Sequence, residues 1–225
     1  MSFKISFGNY LSSLVVLTYK KRDNKHKINF LEKIMKKLIN YIVGSLFIFN
    51  ISNAEVKLGV EGGLVFADMR AEETAQTIAN LSGSTVNYEY DKATWAGRIF
   101  ADYAFTNEVH AEVGYFLTGS LDATYKIGSD SATEGYDAMG IDAAIAFHQE
   151  DFFVKAGMHS SELNGNASIK IGSTTYAVSD SISGSGYLVG AGVMLDDNRY
   201  GITYYSDMGG DADSDMTFLY GGIVF

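Results

Sequence analysis

Ten ionisable side chains recur on one parity of segments that otherwise alternate apolar residues: Lys57, Glu61, Arg98, Asp102, His110, Glu112, Asp142, His148, Lys155 and His159. Six of them, Glu61, Arg98, Asp102, Glu112, Asp142 and Lys155, form the candidate site. Residues two apart on a strand share a face, so these groups must converge on whatever the strands enclose. If the turn at Thr106-Asn107-Glu108 is symmetric, Asp102 and Glu112 stand opposite each other. Like charges so placed destabilise a strand pair unless a cation intervenes. Arg98 and Lys155 are the available cations. Two kinds of chemistry fit such a set: an internal ion network that plugs a narrow lumen, or a ring that gates a small pore.

Two further constellations carry less. His159, Ser160, Ser161 and Glu162 invite comparison with a hydrolase, but neighbours on a strand point apart, leaving only His159 with Ser161 on one face. The run Asp207-Met-Gly-Gly-Asp211-Ala-Asp213-Ser-Asp215 spaces carboxylates by two, as Ca²⁺ ligands are spaced. It lacks the glycine and distal Glu of a complete loop of that type and reads as a solvated anionic loop. With no cysteine there is no thiolate site or lipid-anchored cysteine. We expect no cofactor, no metal and no catalytic residue.

The elements that hold these groups are strands. Eight stretches after residue 55 have period two. Their other parity carries Val56 to Phe66, Trp95 to Phe105, Val109 to Leu117, Met139 to Phe147, Phe152 to Met158, Tyr187 to Leu195, Tyr200 to Tyr204 and Thr217 to Phe225, taken at alternate residues and without a charge. A soluble barrel or sandwich buries its apolar parity; a membrane barrel turns it to lipid and keeps a polar, glycine-relieved interior. Parity alone does not choose between them. The turns do more. Thr106–Glu108, Gln149–Asp151 and Asp196–Asn198 are short and polar, whereas the connections near 69–91, 124–136, 160–184 and 207–214 are longer. Three short turns and four long loops suit eight strands with both termini on the periplasmic side. Aromatics gather at strand ends: Phe105, Phe147, Tyr200 and Phe225 toward the short turns, Phe66, Trp95 and Tyr187 toward the long loops. Such girdles sit at headgroup depth.

An N-terminal address precedes the strands. From Met35 the chain has Lys36 and Lys37, an apolar core over Leu38–Ile51, and small residues to Ala54, with cleavage expected between Ala54 and Glu55. Residues 35–54 therefore read as a signal peptide, and residues 1–34 as an upstream extension. Residues 55–225 carry eight basic against twenty-five acidic side chains, a net −17. Nucleic-acid binding needs the opposite sign.

The last strand, TFLYGGIVF, alternates Leu219, Gly221, Ile223 and the terminal Phe225. It resembles the C-terminal strand by which outer-membrane proteins are recognised by the barrel-assembly machinery. Residues 55–225 as a whole resemble the small barrel group that includes the OmpA transmembrane domain, OmpX/Ail and the opacity-type proteins. The resemblance implies an all-β, eight-stranded antiparallel up-and-down transmembrane barrel in the outer membrane of a Gram-negative bacterium. It implies outer-membrane lipid and lipopolysaccharide as surroundings, a monomer, and a structural or surface-interaction role through external loops toward an unidentified ligand. The alternatives are a narrow passive porin, then a lipid-modifying enzyme, with a soluble periplasmic barrel as the rival fold. The alternation of Val109–Leu117 continues through Leu121, Ala123, Tyr125 and Ile127, and Ala167–Val178 alternates about Gly172-Ser173. Both lengths exceed the roughly 9–11 residues that span a bilayer, so β structure is expected to stand out of the membrane. Ala71–Leu81 reads as a short surface helix.

Overall fold

The computed structural model describes residues 56–68, 70–210 and 214–225. The signal segment, the extension before it and the Ala54–Glu55 cleavage point lie outside the described residues. So do Asp211 and Asp213 of the acidic run.

Among the described residues the strands are β1 (Val56–Ala67), β2 (Asn87–Tyr90), β3 (Thr94–Ala104), β4 (Val109–Thr118), β5 (Leu121–Ile127), β6 (Asp130–Gln149), β7 (Phe152–Ile171), β8 (Thr174–Leu195), β9 (Asn198–Tyr205) and β10 (Met216–Val224). One helix, α1 (Ala71–Ser82), follows β1. All pairings are antiparallel, and β1 pairs with both β3 and β10. The ring β1-β3-β4-β6-β7-β8-β9-β10 therefore closes on eight strands. Closure removes the sheet edges, which is what lets strands cross lipid with every backbone group paired.

The apolar parity faces outward. On β3, Ile99 is 61% exposed while its neighbour Arg98 is 2% exposed. The same inversion runs round the ring through Leu58, Val113, Ile141, Val154, Val189, Ile202 and Leu219, all exposed. A continuous apolar belt of this size is incompatible with water, and rings of exposed aromatics border it, Phe105, Phe147, Phe152, Tyr200 and Phe225 at the short-turn end. The chain is a transmembrane barrel, and a soluble one is ruled out by the belt. No described helix is long and apolar enough to cross a membrane; the strands do so.

Two of the longer connections are the protruding β structure expected there. The 124–136 connection is the meeting of β5 with β6 at Gly128, and the 160–184 connection is the meeting of β7 with β8 at Gly172. Both glycines have φ near +60°, a conformation that costs glycine nothing, so each turn stays tight and the ladder runs on. β7 and β8 have 20 and 22 residues, about twice the membrane span. A sheet ordered β2-β5-β6-β7-β8 thus stands beyond the barrel wall.

The parity of β4 does not continue through β5 as expected. β4 pairs with β6 in the register Leu117↔Met139, and β5 in the register Leu121↔Tyr136, an offset of one residue. The extra residue is a bulge at Gly119, and a one-residue slip flips every later side chain. The Thr118 hydroxyl accepts the Ala138 N–H (2.9 Å) where the ladder is interrupted. Leu121, Ala123 and Tyr125 are consequently buried rather than lipid-facing. Beside them α1 has its own buried face of Ala71, Ala75 and Ile78, and the Tyr125 hydroxyl donates to Glu134.

Candidate functional site

The six candidate residues come from five strands of the ring, and all are buried. Arg98 on β3 is the hub. Its Nε and Nη2 grip Asp142 of β6 in a two-point contact at 2.8 and 2.6 Å. Its Nη1 reaches Glu61 of β1 at 3.1 Å, and Nη2 also reaches Glu112 of β4 at 3.2 Å. Lys155 of β7 lies 3.5 Å from Glu112. The Tyr205 hydroxyl donates to Asp142 at 3.2 Å. The planar fork of arginine suits such multiple carboxylate contacts, which a lysine in its place would not reproduce.

One further cation of the cluster was not among the six expected residues. Arg199, at the start of β9 and 0% exposed, contacts Glu61 at 3.2 Å and Glu112 at 2.7 Å. Its signal was present in part, because Arg199, Thr203 and Tyr205 share a parity opposite to Tyr200, Ile202 and Tyr204. The adjoining Asp196-Asp197-Asn198 makes it read as part of a polar turn. With Arg199 included, three cations (Arg98, Lys155, Arg199) meet three carboxylates (Glu61, Glu112, Asp142). The cluster is neutral.

Bare backbone makes the room. Gly222 on β10 stands between Glu61 and Arg199 in the strand order, and a Cβ there would lie 3.0 Å from the Glu61 side chain and closer still to the Val60 carbonyl. At Gly114 a Cβ would lie 2.6 Å from the Arg98 Nε. Aromatic rings fill what glycine leaves. Arg199 sits 4.0 Å over Phe153, Arg98 lies 4.6 Å over Phe100, and Lys155 lies 5.4 Å from the Tyr220 ring centre. These cation–π contacts are worth most where water is excluded.

Asp102 does not join this cluster. It is opposite Glu112 in the β3–β4 register, yet the two separate through different partners. Glu112 turns to the cations, and both Asp102 oxygens lie 3.0 Å from His110 Nδ1. His159 and Ser161 are both buried on the inner face but engage backbone rather than each other. The His159 Nε2 lies 2.7 Å from the Ser206 carbonyl, and the Ser161 hydroxyl accepts the Gly209 N–H at 2.9 Å. They brace the β9–β10 connection, where Met208–Gly210 packs on β7 and β8. Asp215, from the acidic run, accepts from the Tyr204 hydroxyl (2.6 Å) and the Asp207 N–H (3.2 Å). Leu219 and Ile223 face outward on β10, with Phe225 the most exposed of the terminal aromatics.

An eight-stranded transmembrane β-barrel with an ion-paired interior is the class that this fold and site define. No family model matches the chain and no curated protein matches it. Among solved structures it is similar to Ail, the attachment invasion locus protein of Yersinia pestis, in complex with the heparin analogue sucrose octasulfate (TM-score 0.46, 11% identity, covering 76% of this chain and 98% of Ail). It is similar also to Neisserial surface protein A (0.36, 16%, 77% and 98%) and to the outer-membrane protein OprG of Pseudomonas aeruginosa (0.42, 7%, 75% and 95%). The strand ring and its apolar belt define the class without help from these likenesses.

Proposed function

We propose that this chain is an outer-membrane barrel of a Gram-negative bacterium whose interior is structural and whose protruding sheet offers a strand edge to a surface partner. The carrying observation is the free edge of β8. β8 pairs with β9 only over Leu188–Leu195, and from Thr174 to Ser181 its outer edge pairs with no strand among the described residues. That stretch is exposed throughout and carries Tyr176 and Val178. Open edges of this kind recruit extended peptide by strand addition, with backbone bonds giving affinity and alternate side chains giving selectivity.

In this reading residues 35–54 direct export, residues 1–34 are an upstream extension, and both barrel termini lie in the periplasm, which puts the long sheet outside the cell. The belt meets outer-membrane lipid and lipopolysaccharide, and Leu219, Gly221, Ile223 and Phe225 are the assembly signal. The barrel acts as a monomer. A porin role has less support, because side chains from β1, β3, β4, β6, β7 and β9 meet across the lumen at one level, as an eight-stranded interior allows. An enzymatic role has less support as well, because among the described residues His159 and Ser161 each hold backbone rather than each other.

The test shortens the hairpin. Gly165 and Asp180 are paired across β7 and β8, so removing residues 166–179 and joining the two through Asn-Gly preserves register. Bacteria displaying the full chain should bind immobilised cell-surface and matrix proteins, and those displaying the shortened chain, at equal surface level, should not. Equal binding by both would reject the edge, and stepwise single-channel conductance in planar bilayers would restore the pore.

A further inference from the structure

Away from the Arg98 cluster, at the short-turn mouth, three metal-ligating side chains converge. Asp102 lies near the end of β3, His110 near the start of β4 and His148 near the end of β6. One carboxylate oxygen of Asp102 and one ring nitrogen from each histidine all lie within 4.8 Å of one another. We propose that these residues bind a borderline divalent transition ion, of which Zn²⁺ is the simplest, at the mouth of the lumen.

The register explains the convergence. His110 is paired with Ala146 on β6, and His148 is the next residue of the same parity toward the turn. Because Ala146 offers only a methyl group, the two imidazoles close over it and stack with ring centres 4.1 Å apart. On the other side His110 is paired with Ala104 on β3, again a small residue, which lets its Nδ1 reach both oxygens of Asp102 at 3.0 Å.

The independent indication of a ligand is the state of His148. Its residue is 9% exposed, and its Nε2 is buried without a hydrogen-bond partner. A buried ring nitrogen in that condition forfeits a hydrogen bond, and coordination to an ion would satisfy it. The Asp102–His110 contact, 3.0 Å, lies a few tenths of an ångström inside the spacing of two ligands on one metal. Tetrahedral bonds of roughly 2.0–2.1 Å set ligand atoms about 3.4 Å apart, so the remaining adjustment is a swing of the His148 ring. Two imidazoles and one carboxylate are a donor set for Zn²⁺, Ni²⁺, Cu²⁺ or Fe²⁺ rather than Ca²⁺ or Mg²⁺. Three protein ligands leave a coordination position for water or an incoming ligand.

Surrounding groups suit an ion held at a doorway. The His110 side chain is 14% exposed, which supplies the approach. Behind the pair, Phe153 stacks on His148 at 5.7 Å and takes the Arg199 guanidinium over its ring. The cations bordering the site are thus Arg199, held over that ring, and Lys57, which stands opposite Asp102 in the β1–β3 register. The Asn107 carbonyl lies 3.4 Å from the His110 Nε2 and holds that ring in place, as second partners of metal-binding histidines commonly do.

The experiment uses untagged barrel in detergent, dialysed against Zn²⁺ alone. One equivalent per chain is expected, weakened at least about tenfold in His148→Gln and in His110→Gln and unchanged in Asp196→Asn, which alters only an exposed turn acid. Saturation at no discrete stoichiometry, or undiminished binding in His148→Gln, overturns the proposal. Should either histidine variant fail to fold, X-ray absorption of the wild-type Zn²⁺ form decides instead: two imidazoles in the coordination sphere support the site, and fewer overturn it.

Discussion

Replacing Arg98 with Met should remove the hub of the interior, including the guanidinium over Phe100, while keeping an unbranched apolar side chain in its place. Arg98 contacts Asp142, Glu61 and Glu112 at 2.6–3.2 Å, so the substitution leaves three buried carboxylates facing Lys155 and Arg199 alone. Asp142 suffers most, retaining the Tyr205 hydroxyl as its donor among the contacts described. Removing one partner of a buried pair costs about 3–5 kcal/mol, because the other charge stays behind in a poor solvent. With a urea slope of about 2 kcal/mol/M, the midpoint should fall by roughly 2 M. Trp95 is the chain's one tryptophan and sits outward on β3, so reversible unfolding in micelles can be followed by its fluorescence, with heat-modifiable mobility marking the closed barrel. The discriminating variant is Arg98→Met with Asp142→Leu, which restores neutrality. It should lose about 1–3 kcal/mol less than the two single losses added together. A single-variant cost under about 1 kcal/mol, or strict additivity in the pair, would refute the view that these charges act as one balanced cluster.

Ile99→Arg puts a charge at the middle of the outward row of β3 and should cost about 2–4 kcal/mol if that row meets lipid; the same unfolding assay reads it, and a neutral result would place the row in water. Gly222→Val brings side-chain atoms against the Val60 carbonyl and Glu61, so β1 and β10 should fail to pair and the heat-modifiable band should vanish. Deleting Phe225 should cut the amount of barrel assembled in cells while leaving refolding in detergent intact; equal loss in both would make Phe225 structural rather than a signal. At Tyr125, burial and the neighbouring Glu134 push the phenol above its ordinary 10.0. The folded form then holds a proton that the unfolded form releases, so stability falls as pH rises past 10. Hydrogen exchange should show β2 and β5 opening before the barrel does, and Tyr125→Phe should abolish that alkaline trend.

Period two was legible because each strand has lipid on one side and a packed interior on the other, so all eight crossings and their two faces could be read from side-chain type, while the turns and the placement of aromatics were needed to say which face lay outward. Asp102 opposite Glu112 was likewise readable, since the short turn at 106–108 leaves little freedom of register. What alternation does not encode is an inserted residue. Gly119 is one glycine among 24, and nothing local marks it as the point where Leu121 and Tyr125 change sides. The protrusion of β7 and β8 was legible around Gly172, where Ala167–Val178 alternates, but not their full lengths of 20 and 22 residues, because beyond the belt both faces are wet and apolar contrast fades while the backbone ladder continues. Arg199 was obscured by its acidic neighbours, and His110 with His148 by distance along the chain. Their meeting depends on which strands adjoin, which no single segment records.

The neutral cluster also bears on how the barrel forms. Arg98 and Asp142 come from strands separated only by β4, but Arg199 reaches Glu61 across β10, the seam between the chain's last strands and its first. Until that seam is stitched, Glu61 has only Arg98 of the neighbouring strand beside it, and Arg199, one strand in from the far margin of an open sheet, stands apart from both of its carboxylates, a charge that hydrocarbon would reject. Pairing β1 with β10 is thus the step that brings Arg199 to Glu61 and completes the neutral cluster, so closing the cylinder and burying its last cation are one event.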